Sequence, residues 1–167
     1  NVDNIVVVVG HQAEEVETYL QHRATYALQQ PQLGTGHAVM QAQSLKDIDG
    51  QTLILYGDCP LVQSETMNKL YEVNEGKALT VLTAVLEDPA QYGRIVRDDV
   101  GNVLRIVEFK DCDENQRQIK EINTGIYCVD NNLLFKHLDD ISNNNAQKEY
   151  YITDLIEIFH RNGYDIQ

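Results

Sequence analysis

Basic residues are scarce in this chain. Lys and Arg number 13 against 26 Asp and Glu, for a formal net charge of −13. That balance argues against nucleic acid or an acidic membrane surface as a partner, since both are polyanions. It also leaves few cations to hold a polyphosphate. A phosphate site here would need Mg²⁺, helix N-termini or basic groups from elsewhere. Cysteine is sparse as well: Cys59, Cys112 and Cys128 form no Cys-x-x-Cys pair and leave an odd thiol over. This fits a reduced, cytoplasmic setting better than a disulfide scaffold. None of the five histidines has a His partner four residues on, so a helical zinc pair is excluded. The sequence contains no Gly-x-Ser-x-Gly elbow and no P-loop ending in Gly-Lys-Ser or Gly-Lys-Thr. No apolar run approaches the roughly 18 residues of a membrane span, and no signal-peptide pattern is present.

What is present is an alternation of strands and helices. The 167 residues suffice for one α/β core, burying about 70 % of the unfolded surface. The chain opens on Asn rather than Met, and strand-like sequence begins at Ile5, so it reads as a piece of a longer protein. Ile5–Val9 is a continuous apolar run, the mark of a strand buried on both faces. A short helix over Glu14–Gln21 and a strand over Thr25–Gln29 follow, then a helix over Gly36–Ser44 and an interior strand over Thr52–Tyr56. Ser64 is placed to cap the next helix. The second half is richer in strands: Ala78–Leu86, a hairpin from Gly93–Val96 and Val103–Glu108, and Ile122–Val129. Asn131–Asp139 and Asp154–Asn162 read as helices, the latter capped by Thr153 or Asp154. The expected architecture is α/β, a mainly parallel sheet with an antiparallel β insertion.

Two segments carry the chemistry. Gln29 to Ala38 reads Gln-Gln-Pro-Gln-Leu-Gly-Thr-Gly-His-Ala. It is a glycine-bracketed turn between strand and helix, guarded by Gln29 and Gln32. A Gln amide both accepts and donates, as reading a uracil edge requires, and Gly34 and Gly36 permit close backbone approach. Strand-to-helix turns with solvated glutamines are the ordinary alternative. Leu53 to Pro60 ends a strand in Tyr56-Gly57-Asp58. Ligands of open α/β sheets bind past the C-terminal strand ends, and a carboxylate there suits Mg²⁺. A turn acid bonded to its own backbone is the plain alternative for Asp58. Gly93, Glu108 and Asn123 stand at strand ends, where an acid and an amide can grip sugar hydroxyls and an acyl-amide group.

These segments stand in order with Tyr-Gly-Arg-Ile (residues 92–95), Ile-Val-Glu-x-Lys-Asp (106–111), Glu-Ile-Asn-Thr-Gly-Ile (121–126) and Asn-Asn-Asn-Ala-Gln-x-Glu-Tyr-Tyr-Ile-Thr-Asp (143–154). Together they resemble the N-terminal uridyltransferase (pyrophosphorylase) domain of the bacterial bifunctional N-acetylglucosamine-1-phosphate uridyltransferase/glucosamine-1-phosphate acetyltransferase. The resemblance runs over residues 1–167 as a partial domain. It implies a Rossmann-like nucleotidyltransferase fold, incomplete at the N-terminus. It implies transfer of UMP from UTP to N-acetylglucosamine-1-phosphate, giving UDP-N-acetylglucosamine for cell-wall synthesis. By the same analogy Gln29, Gly34 and Thr35 hold the uridine, and Tyr56 and Gly57 line the nucleotide. Asp58 binds Mg²⁺ and is the catalytic residue. Gly93, Glu108 and Asn123 contact the sugar, with Thr124 and Tyr151 near it.

Family features missing from the 167 residues are the Leu-Ala-Ala-Gly-x-Gly-Thr-Arg-Met loop, a catalytic Lys, an Asn metal ligand and the C-terminal β-helix that acetylates and forms the family's homotrimer. This chain alone is therefore expected to be inactive. A related sugar-1-phosphate nucleotidyltransferase and a non-catalytic sugar-nucleotide sensor are the alternative readings.

Overall fold

The computed structural model describes residues 2–167. These residues form seven strands and six α-helices, alternating as far as the fourth strand. β1 (Val6–Val9), α1 (Ala13–Leu20) and β2 (Thr25–Leu28) come first. The glycine turn leads into α2 (Thr35–Met40), then β3 (Gln51–Ile54) and α3 (Ser64–Val73). β4 (Leu79–Val85), β5 (Arg94–Arg97) and β6 (Val103–Val107) follow. The chain closes with α4 (Glu114–Arg117), β7 (Glu121–Asp130), α5 (Asn131–His137) and α6 (Asp154–Arg161).

The α/β class stands, but the pairing is not mainly parallel. β1 and β2 form a parallel pair, whereas the five-stranded sheet pairs β3, β4 and β5 antiparallel to β7, and β5 antiparallel to β6. The reason is the long strand β7, which enters between β3 and β4. Those two strands run parallel to each other but never touch. β3 is also an edge strand among the described residues, not an interior one. The run Ile5–Val9 is not buried on both faces: Val9 is buried, yet Ile5 is 53 % exposed. Among the described residues its strand pairs with β2 on one edge and with none on the other.

The core lies where β7 meets the helices. Tyr127, Cys128 and Val129 of β7, Leu134 of α5, and Leu155, Ile156 and Phe159 of α6 are essentially sealed from solvent. Burying each large apolar side chain contributes about 1.5–3 kcal/mol relative to leaving it in water. α6 has a sharply apolar side that packs on β6. This fixes the residues just before α6 relative to the end of β6. Ser64 does not cap α3. Gln63 holds the N-cap position without a side-chain bond, and the Ser64 hydroxyl turns to Glu65.

β7 has two edges, and they are used differently. β4 covers one edge along nearly its whole length. The opposite edge is shared: β3 covers Tyr127 to Asp130 and β5 reaches it at Ile122. Among the described residues no strand covers Asn123 to Ile126 on that edge. The C-terminal end of β3 and the N-terminal end of β5 both open onto this split. A bulge in the β4–β7 ladder, where Leu82 faces Ile126 but Thr83 faces Asn123, leaves Thr124 and Gly125 unpaired there. Bulges of this kind re-aim side chains next to sites.

Candidate functional site

The strand register brings one end of the site together. Arg94 pairs with Val107 on one side and with Ile122 on the other. One step along each strand, Gly93 lies between Glu108 and Asn123. The Gly93 carbonyl accepts from the Asn123 N–H at 2.9 Å. A side chain on Gly93 would come within 3.3 Å of the Glu108 carboxylate, so glycine keeps that carboxylate accessible. The Asn123 amide is held at both ends. Its Oδ1 accepts from the Gly125 N–H (3.0 Å) and its Nδ2 donates to the Tyr127 hydroxyl (2.7 Å).

The glycine turn is joined to this end by residues far off in sequence. Gly36 N–H donates to the Tyr150 carbonyl (2.7 Å), and Tyr150 N–H donates to the Leu33 carbonyl (2.8 Å). Ile152 N–H donates to the Thr35 hydroxyl at 3.0 Å. Gly34 has φ +111, and a Cβ there would sit 2.6 Å from the Tyr150 carbonyl oxygen. A chain crossing therefore requires glycine at this position. Directly after Ile152, Thr153 sends its hydroxyl to Glu108 Oε1 at 3.4 Å instead of capping α6. The turn, the Tyr150–Thr153 segment and Glu108 are thus linked in series.

The end of β3 forms the remaining wall. Tyr56 lays its ring against Gly125, in the space any side chain at that position would fill. Gly125 has φ +80, so glycine is doubly required. Thr35 and Tyr127 lie beside the Tyr56 hydroxyl. Gly57 and Asp58 come next and are exposed. The Asp58 carboxylate accepts a weak bond from the Cys59 thiol at 3.7 Å. Gln29 follows β2. Its Nε2 donates to the Gly34 carbonyl (2.9 Å) and lies 3.0 Å from His37 Nδ1. The Gln29 amide donors thus brace the turn, leaving its carbonyl oxygen for anything outside it.

A family model described as nucleotidyl transferase matches residues 1–166. The chain belongs to that family. It is 56 % identical over 160 residues to the bifunctional protein GlmU of Limosilactobacillus reuteri, covering 94 % of this chain and 35 % of that protein. It is 54 % identical over 166 residues to the bifunctional protein GlmU of a Geobacillus species, covering 97 % of this chain and 36 % of that one. The chain therefore spans about a third of the length of these curated relatives. Among solved structures, UDP-glucose pyrophosphorylase complexed with UDP-glucose matches with a TM-score of 0.72 at 16 % identity, over 95 % of this chain and 69 % of that one. At that identity the likeness concerns the nucleotidyl transferase fold alone.

Electrostatics divide this candidate site. Burial raises the Glu108 carboxyl above its ordinary range; the Thr153 hydroxyl opposes this and the nearby Asp111 charge adds to it. Asp154, which sequence reading treats only as a helix cap, is pushed up to about 6 by burial, then by Glu157, Asp111 and Glu108, against Arg161. The Tyr151 phenol is pushed up to about 12 by burial and then by Asp111, Glu149, Glu108 and Asp154. Its buried hydroxyl has no hydrogen-bond partner among the described residues. Thr124 is differently engaged, since its hydroxyl donates to the Leu82 carbonyl at 2.7 Å and ties down the bulge. His37, Tyr127, Thr153 and Asp154 are neighbours of the site that residue-by-residue reading passes over. Thr153 and Asp154 stand in the Tyr-Tyr-Ile-Thr-Asp motif; Tyr127 follows Asn-Thr-Gly at the spacing of a buried strand.

Among the described residues no cluster of three metal-ligating side chains occurs. A cation at Asp58 would therefore complete its shell with substrate phosphates and water, the habit of Mg²⁺. Asp58 suits that role because its carboxylate is exposed and nearly unengaged.

Proposed function

We propose that the site transfers UMP from UTP to N-acetylglucosamine-1-phosphate. The observation that carries this reading is the split along β7, where the loop leaving β3, which bears Asp58, and the rung of Gly93, Glu108 and Asn123 border the same gap. One end suits phosphates and a hard cation, and the other suits hydroxyl and acyl-amide groups. The 51–56 % identity to proteins named GlmU supports the same reading.

In the reaction a phosphate oxygen of the sugar phosphate forms a bond to the α-phosphorus of UTP. The bond from that phosphorus to the oxygen bridging to the β-phosphate breaks, and pyrophosphate leaves. The attacking oxygen is already anionic, so no general base is required. The residues of this chain act by positioning. Gly34, Thr35 and the Gln29 carbonyl border the uridine. Tyr56 and Gly57 line the nucleotide. Glu108 accepts from sugar hydroxyls while Asn123 keeps one amide hydrogen for an acyl oxygen; Tyr151 closes the sugar side, and Thr124 acts at one remove by holding the bulge. Asp58 would hold Mg²⁺, which when bound supplies charge neutralisation between the two phosphate groups.

The test uses the whole protein that carries this chain. Pyrophosphate release from UTP should depend on N-acetylglucosamine-1-phosphate and on Mg²⁺. Faster release with dTTP or with glucose-1-phosphate would assign the site to a related transferase. Binding of UDP-N-acetylglucosamine with no turnover would assign it to a sensor.

A further inference from the structure

Arg94 begins β5 at 2 % exposure, directly under the rung, and none of the roles above uses it. Among the described residues no carboxylate forms a salt bridge with it. Its Nη1 donates to the carbonyls of Pro89 (3.3 Å) and Tyr92, and its Nη2 donates to that of Ala90 (2.9 Å). Its Nε is buried without a partner. A guanidinium stays charged in a protein, and burying one without an anion is costly. An aliphatic side chain would fill the space without that cost. What it could not do is gather the carbonyls of residues 89, 90 and 92 into one fork.

Those carbonyls belong to the turn that delivers Gly93. The turn is a constrained one, since Ala90 has φ +43 without being glycine. Such backbone persists where surrounding bonds over-determine it. The same guanidinium lies 5.5 Å over the ring of Phe109, the residue after Glu108. Arg94 thus grips the chain immediately before Gly93 and immediately after Glu108.

We propose that Arg94 is a positioning residue of the sugar end. By holding the Pro89–Tyr92 turn and Phe109, it sets the spacing between Gly93 and Glu108 into which the sugar of the sugar phosphate fits. This rests on the sugar-phosphate reading of the preceding section. Lys cannot replace it, because one ammonium on a flexible stem does not span the carbonyls of a turn.

Steady-state kinetics of Arg94→Lys and Arg94→Met in the whole protein test this. Both variants should raise the KM for N-acetylglucosamine-1-phosphate by about tenfold while the KM for UTP stays within about twofold, since small displacements at a positioning contact are amplified in this way. Unchanged sugar-phosphate KM, an equal rise in both KM values, or full rescue by Lys would each overturn the proposal. Should neither variant fold, Phe109→Leu reads the same contact from the other side. It should raise the sugar-phosphate KM selectively, and an unchanged value would overturn the proposal. A wild-type protein that does not use the sugar phosphate overturns the preceding reading and this inference with it. An active wild type whose variants keep their KM overturns this inference alone.

Discussion

The two ends of the candidate site are built in opposite ways. At the proposed sugar end Gly93 just precedes β5, Glu108 just follows β6 and Asn123 lies in β7; Gly93 and Asn123 are buried, Glu108 is partly so, and each has a named protein partner. At the proposed phosphate end Gly57 and Asp58 are exposed, Gly57 has nothing within 4 Å of where a side chain would start, and Asp58 touches little besides a thiol. The contrast teaches what each task requires. Selecting a sugar needs desolvated groups fixed in advance, because an unmatched buried partner then costs about 1–3 kcal/mol. Holding a cation and shifting phosphates needs free lone pairs and room.

The largest expected effect comes from the open end. Asp58→Asn should lower kcat by about a thousandfold, with thermal stability and substrate binding retained because the side chain supports nothing else. Near-normal turnover would remove Asp58 from the metal role. Next is Glu108→Gln at the closed end, which should raise the sugar-phosphate KM by about 10–100-fold while the UTP KM changes little. If the two KM values rise together, the division between the ends fails.

Gly34→Ala tests the joint between the two ends. It places a Cβ 2.6 Å from the Tyr150 carbonyl oxygen at a positive φ. Calorimetry should show a Tm lower by about 5–10 °C, whereas Gly57→Ala should leave Tm unchanged.

The smallest effect concerns Asp154. Its folded-state value of about 6 lies above its ordinary 3.8, so the folded state holds that proton more tightly. Stability from this source is fully present below about pH 4 and is lost as pH rises through 6. The group is partly exposed, so solvent screening reduces the effect. Asp154→Asn should therefore flatten the pH dependence of unfolding between about pH 4 and 6 and raise Tm at pH 7 by about 2–4 °C. An unaltered pH profile would show that its charge is well solvated.

Much of this was legible in sequence, but unevenly. Strand and helix positions follow from apolar spacing, and Ile122–Val129 was recognisable as a strand. Its role was not. That β7 divides β3 from β4, and leaves a gap between β3 and β5 on one edge, depends on pairing between residues far apart in the chain, such as Leu53 with Cys128 and Arg94 with Ile122. Local pattern carries no such information. Gly93, Glu108 and Asn123 were identifiable as strand-end residues, yet their alignment follows only from the register. The glycine turn shows the reverse case. Its sequence suggested ligand approach, while the structure adds a crossing with Tyr150. The run Ile5–Val9 reads as buried on both faces because apolar content reports what a strand can bury, not how many partners it has.

The most direct measurement is a structure of the whole protein with UDP-N-acetylglucosamine and Mg²⁺ bound. The account predicts the sugar against Gly93, Glu108 and Asn123, the uracil against the turn from Gln29 to Thr35, and the cation on the carboxylate of Asp58. A ligand seated away from the split along β7, or one turned so that its sugar meets Asp58, would contradict it.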